Sequence, residues 1–203
     1  MSDPPRSFKD KVHGLLRASI LDAAWERACH AAWSQVRIAD IASDVGVSRQ
    51  TIYNEFGTKD DLSLALFDRE LKHFLAELET RVAASERFED GIRAALHWMI
   101  DQVTDHELLG RMVADARSGA GEGLVPVLTV RSDMIIEPVR ATLSRIALER
   151  WPEVDPAAAE VVADLYVRLT LSQIVTPTDL DRDAMIEAMV ALAVNIRPPT
   201  KGS

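Results

Sequence analysis

Apolar residues recur along this chain at three- and four-residue intervals almost from end to end, the spacing that lines one face of an α-helix. The first such run covers about residues 8–32, with Leu15, Leu16, Ser19 and Ala23, and Trp33 at its end. A short helix is predicted over 38–45, stopping at Gly46, whose missing Cβ permits a left-handed turn. Ser48 is placed to cap a second short helix over 49–56, and Gly57 closes it. Thr58 then caps a long helix reaching about residue 85. Asp60 and Asp61 stand in its first turn, where negative charge meets the positive end of the helix dipole.

Further helices are predicted over 88–105 and 107–117, followed by a Gly-rich loop at 118–123. One long helical pattern runs from 124 to 151 and contains Pro138, which kinks it unless a break falls nearby. Asp155 before Pro156 marks a helix start, and the last two helices are predicted over 156–175 and 181–196. No alternating run bounded by turns reads as a strand. The expected fold is all-α with about nine helices.

Charge divides the chain. Residues 1–60 balance eight Lys and Arg against eight Asp and Glu, so the whole net charge of −9 falls after residue 60. That acidity excludes non-specific coating of nucleic acid, while a neutral amino-terminal part with clustered bases can still meet a polyanion. No apolar stretch approaches the ~20 residues of a membrane span, and the first residues lack the apolar core of a signal peptide. Cys29 stands alone, so no internal disulfide forms. A cytoplasmic location is expected, with no membrane partner.

Enzyme and metal motifs fail on inspection. Asp179, Asp181 and Asp183 imitate the start of a calcium loop, but Ala184 and Val190 stand where its Gly and terminal Glu belong. Gly119, Gly121 and Gly123 follow no strand, as a dinucleotide loop requires. The five histidines have no paired zinc spacing. The expectation is a non-enzyme without metal or cofactor.

The segment 38–56, IADIASDVGVSRQTIYNEF, has the form of a helix-turn-helix. Ile38, Ile41, Ala42, Val45, Val47 and Ile52 supply its small core. Arg49, Gln50, Thr51, Tyr53 and Asn54 are left to point outward. Arg and Gln suit base edges, a Thr methyl suits thymine, and Ser, Tyr and Lys suit phosphate oxygens.

Residues 16–62 resemble the DNA-binding domain of the TetR family of bacterial regulators. The matching pieces are Ile20-Leu21-Asp22-Ala23-Ala24, Ile38-Ala39-Asp40-Ile41-Ala42, Val45-Gly46-Val47-Ser48, Thr51-Ile52-Tyr53, Phe56 and Lys59-Asp60-Asp61-Leu62. The chain departs from the family at Ala32-Trp33, where a Gly is usual, at Arg37, where a Thr usually opens the second helix, and at Asn54, where an aromatic or His is common. The resemblance implies a three-helix DNA-binding domain over 1–60 and a six-helix ligand-binding and dimerisation domain over 61–203.

It further implies phosphate anchoring by Ser48, Tyr53 and Lys59, with Arg37 offering a contact in place of a hydroxyl and Asn54 a weaker one. Arg49, Gln50 and Thr51 are the candidate base readers, and Arg6, Lys9 and Lys11 form a basic arm. Phe67, Phe74, Leu96, His97, Trp98, Met99, Met112 and Met134 are candidates to line an inducer pocket. A homodimer seam is expected from Leu165, Leu169 and Ser172 with Met185, Met189, Leu192 and Ile196, which recur at helical spacing. The implied function is a homodimeric, ligand-responsive repressor of a palindromic double-stranded operator. Its implied inducer is a largely hydrophobic small molecule of fatty-acid or acyl type. A lipid- or metabolite-binding helical protein with a vestigial helix-turn-helix is the alternative.

Overall fold

The computed structural model describes residues 8–117, 125–128, 131–176 and 178–195. Arg6, Ile196 and the loop expected at 118–123 lie outside them. Among the described residues the fold is all-α. Its helices are α1 (Phe8–His30), α2 (Ile38–Val45), α3 (Arg49–Phe56), α4 (Lys59–Ala83), α5 (Phe88–Asp105), α6 (Glu107–Arg117), α7 (Val125–Leu128), α8 (Asp133–Arg150), α9 (Pro156–Val175) and α10 (Arg182–Asn195), with a 3-10 turn at Trp33–Gln35.

The long pattern over 124–151 carries α7 and α8, so ten helical segments stand among the described residues beside the about nine expected. The division falls ahead of Asp133, and Pro138 sits inside α8. There it withholds one N–H from the helix ladder. Asp155 caps α9 as expected, its carboxylate accepting from the Ala158 amide at 2.9 Å, with Pro156 in the first turn.

The described residues form two compact units, one reaching Glu70 and the other beginning at Leu71. The first therefore runs past residue 60, because Leu62 and Leu66 of α4 are fully buried in it. Its core joins Ile20 and Ala24 of α1, Ile41 of α2 and Ile52 of α3, each large side chain removed from water contributing roughly 1.5–3 kcal/mol. Val45 and Val47, expected in this core, are only half-buried.

In the second unit α8 and α9 pack along each other, and α5 packs on α6, α9 and α10. Arg93 on α5 grips Glu187 on α10 at 2.5 and 3.0 Å, and Arg182 on α10 reaches Asp101 on α5 at 2.7 Å. Two aromatic pairs stiffen this core: Phe74 against Trp98, with centroids 4.7 Å apart, and Phe88 edge-on to Trp151 at 5.4 Å.

Candidate nucleic-acid interface and ligand cavity

The turn between α2 and α3 is built from local chemistry. Gly46 takes φ 74°, ψ 32°, the left-handed conformation that ends α2, and its N–H returns to the carbonyls of Ala42 and Ser43. Ser48 Oγ accepts from the Thr51 amide at 3.0 Å and so caps α3. At the far end Gly57 takes φ 89°, where a Cβ would stand 2.8 Å from Asp61 Oδ2. That carboxylate accepts from both the Thr58 amide, at 2.9 Å, and the Thr58 hydroxyl, at 2.7 Å. The two hydrogen bonds hold Asp61 below its ordinary pKa.

With Ile52 and Phe56 buried, α3 turns Arg49, Gln50, Tyr53 and Asn54 outward, Tyr53 being 43% exposed. Gln50 Nε2 donates to Asn54 Oδ1 at 2.9 Å, pre-arranging the two amides one turn apart. Thr51 is half-buried, with its hydroxyl 2.9 Å from Ser48 Oγ, so it is engaged in the cap more than in the exposed face. Arg37 occupies the position before α2, exposed and without a side-chain capping bond. Lys59 opens α4, half-buried, with Nζ 3.3 Å from the Ser34 carbonyl and 5.6 Å from the Trp33 ring centroid.

Several bases of this unit serve as clasps. Arg27 on α1 forks onto Asp44 of α2 at 2.7 and 2.8 Å, and that side-chain hydrogen bonding lowers the Asp44 pKa. Arg17 of α1 donates to the Glu55 carbonyl at 3.0 Å and lies 4.1 Å from the centroid of the Phe56 ring. Arg69 of α4 reaches Asp22 of α1 at 2.6 Å. By contrast, Arg37 and Arg49 make no ion pair among the described residues, which leaves their guanidinium groups available to an outside anion.

The second unit holds a half-open apolar cavity of about 50 Å³. Small residues open the space: Gly91 and Ala95 on α5, Ala147 on α8, and Ala159 and Ala163 on α9. Of the residues expected to line a pocket, Leu96 and Met99 are on its wall. The others lie elsewhere. Phe67 is buried in the first unit, Phe74 and Trp98 stack on each other, and Met112 is buried on α6. Met134 is half-buried on α8, and the half-buried His97 uses its carbonyl to accept from Arg182 at 3.0 Å. Tyr166 and Trp151, both lining the cavity, were not anticipated.

The polar atoms of those two rings are already committed. Trp151 Nε1 donates to the Glu86 carbonyl at 3.0 Å, and the Tyr166 hydroxyl donates to the Met189 carbonyl. Burial pushes the Tyr166 phenol up to about 12.

On α9, Leu165 and Leu169 are 38% and 40% exposed, in line with exposed Val161 and Ser172. On α10, Leu192 is 47% exposed. Met189 is only 7% exposed and packs in the core of its own unit, with Met185 partly buried against it. The apolar surface of α10 thus lies on the Leu192 side, not on the methionine side. Among the described residues no helix is long and apolar enough to cross a membrane.

Comparison with known proteins agrees with this layout. Residues 20–66 match the family described as bacterial regulatory proteins, tetR family. Residues 88–195, more than half of the chain, match the bacterial tetracyclin repressor C-terminal domain. The HTH-type transcriptional regulator AlkX of Mycobacterium tuberculosis is 30% identical over 181 residues, 87% of this chain and 82% of that protein.

Among solved structures, the TetR family repressor AlkX from Dietzia sp., implicated in biodegradation of n-alkanes, superposes with a TM-score of 0.67 at 21% identity, over 87% of this chain and 94% of that one. The regulator FadR from Bacillus subtilis, in complex with stearoyl-CoA, superposes with a TM-score of 0.54 at 16% identity, over 88% and 97%. With its capped recognition helix, its helical second unit and these matches across both, the chain belongs to the TetR family of bacterial transcriptional regulators.

Proposed function

We propose that the chain is a homodimeric repressor that reads a palindromic operator with α3 and is released by a largely hydrophobic small molecule of fatty-acid or acyl type. Residues 1–60 carry the DNA contacts, and residues 61–203 carry the ligand and the dimer seam. The observation that carries the reading is the exposed face of α3. Four polar side chains there project from a helix fixed at both ends, and Arg37 and Arg49 offer cations that pair with no carboxylate among the described residues. Gln50 and Arg49 meet base edges, while Ser48, Tyr53, Lys59 and Arg37 meet phosphates. Two copies joined through the exposed leucines of α9 and α10 set two recognition helices about 34 Å apart, one helical turn of DNA.

The ligand chemistry follows from the cavity. Its wall is almost wholly apolar, and its two polar rings are satisfied within the protein, so an unsubstituted alkyl chain fits it better than a phenol or a charged metabolite. The link of the Dietzia neighbour to n-alkane biodegradation and the stearoyl-CoA complex of another neighbour accord with that class. At about 50 Å³ the space is far below the roughly 300–1,000 Å³ of ordinary ligand pockets. An alkyl chain therefore selects an expanded form, and release of DNA is the population shift that follows.

The test is a titration of a protein–operator complex with decanoic acid, stearic acid and stearoyl-CoA, with resorcinol as a polar control. Release by the alkyl compounds alone supports the reading. Release by resorcinol alone removes the alkyl class.

A further inference from the structure

One cavity-lining side chain reaches into the neighbouring helix. Tyr166 stands on α9, buried, with its ring on the cavity wall. Its hydroxyl donates to the Met189 carbonyl in the middle of α10. Met189 and Ala193 are four residues apart, so this carbonyl and the Ala193 amide form one rung of the α10 hydrogen-bond ladder. The phenol thus shares the carbonyl of that rung with the Ala193 amide, and a side chain inserted into a ladder is a known cause of helix bending. Exposed Leu192 flanks this rung, three residues from Met189 and next to Ala193 in the chain.

The small residues and Trp151 on the wall yield less readily. Gly91, Ala95, Ala147 and Ala163 bring backbone close to the cavity, so they recede only if whole helices part. Trp151 is held by its Glu86 hydrogen bond and by the edge of Phe88. Tyr166 is packed in the core, with its outer end tied by its hydroxyl, so a group filling the cavity presses on the ring and draws on that bond.

We infer that Tyr166 is the positioning residue that couples the cavity to the dimer seam: a group filling the cavity withdraws the phenol from the Met189–Ala193 rung, and α10 shifts with its exposed apolar face. This rests on the proposed roles of the cavity and of the α9–α10 surface. The consequence is that operator affinity responds to cavity occupancy through one hydroxyl.

A double-mutant cycle on the full chain tests it without any ligand. Ala95→Leu fills the cavity from α5, and Tyr166→Phe removes only the hydroxyl. Operator affinity is read by fluorescence anisotropy on a fragment selected from genomic DNA, and amide exchange at Ala193 is followed alongside. Ala95→Leu is expected to weaken operator binding about tenfold in the parent chain and less than about threefold in Tyr166→Phe. Exchange at Ala193 is expected to accelerate in Ala95→Leu. Should Ala95→Leu fail to fold, Ala147→Leu fills the same space from α8.

Equal losses in both backgrounds overturn the inference, as does a folded, cavity-filled variant that binds the operator like the parent. Stearoyl-CoA separates this failure from that of the ligand reading. If it releases parent and Tyr166→Phe equally, Tyr166 has no coupling role and the ligand class stands. If it releases neither while the cycle shows coupling, the ligand class falls and Tyr166 stands.

Discussion

Replacing Gly91 by alanine tests the packing around the cavity, because two effects of opposite sign meet there. Gly91 lies in the first turns of α5, where Gly→Ala ordinarily stabilises a helix by up to about 1 kcal/mol. Here an added Cβ would stand 2.4 Å from Trp151 Cη2 and 3.0 Å from Cζ2. Carbon atoms in contact sit about 3.5–4.0 Å apart, so the ring must retreat by about 1 Å. It is rigid, edge-packed on Phe88 and tied to the Glu86 carbonyl at 3.0 Å, so retreat strains or breaks that hydrogen bond.

Overpacking of this kind costs about 1–3 kcal/mol, and a lost hydrogen bond about 0.5–1.5 kcal/mol. These outweigh the helix gain, and the expected outcome is a net destabilisation of about 1–3 kcal/mol. Urea unfolding followed by tryptophan fluorescence measures it through the midpoint at unchanged slope. A Gly91→Ala protein as stable as the parent, or more stable, would refute the close approach of Trp151 to α5 and with it the shape of the cavity.

Two further substitutions separate the seam from the core. Leu169→Glu is expected to give a folded chain that sediments as a monomer, whereas Met189→Glu, which buries a charge in its own unit, is expected to lose the native fold; circular dichroism and sedimentation distinguish the two. Acid tests the clasp between α1 and α2. The Arg27 hydrogen bonds hold Asp44 below its ordinary 3.8 in the folded state, so its contribution to stability is complete above that value and disappears as pH falls through the lowered one. Stability measured between about pH 5 and about pH 2 is therefore expected to fall less steeply in Asp44→Asn than in the parent chain; equal slopes would contradict the clasp.

The helix-turn-helix was legible because its determinants are local. Gly46 ends α2, Ser48 caps α3 and Thr58 with Asp61 opens α4, each within a few residues of the sequence. The apolar spacing of Ile38, Ile41, Ala42 and Ile52 then needs no distant information. The clasps by Arg17, Arg27 and Arg69 were not legible, since their partners lie 17 to 47 residues away.

The cavity wall was legible only at Leu96 and Met99, for a physical reason. Large aromatics and methionines fill space, as Phe74 and Trp98 do against each other. Empty space arises where Gly91, Ala95, Ala147, Ala159 and Ala163 converge from three helices. The alanines of α9 were the available signal. On α10 apolar residues surround the helix, so periodicity alone did not separate the buried Met189 from the exposed Leu192. The break before α8 escaped notice because residues 124–151 keep helical spacing throughout.

Reading of operator DNA by the outward face of α3 is met most directly by footprinting. The parent chain and Gln50→Ala are compared on the genomic fragment each selects, with hydroxyl-radical cleavage recording the protected bases. The account predicts two protected half-sites related by a palindrome and centred about one helical turn, or a multiple of it, apart. It also predicts that Gln50→Ala loses about 1–3 kcal/mol of discrimination at particular base pairs while the protected phosphate pattern persists. Protection without symmetry, or a Gln50→Ala protein weakened equally on every sequence, would contradict it.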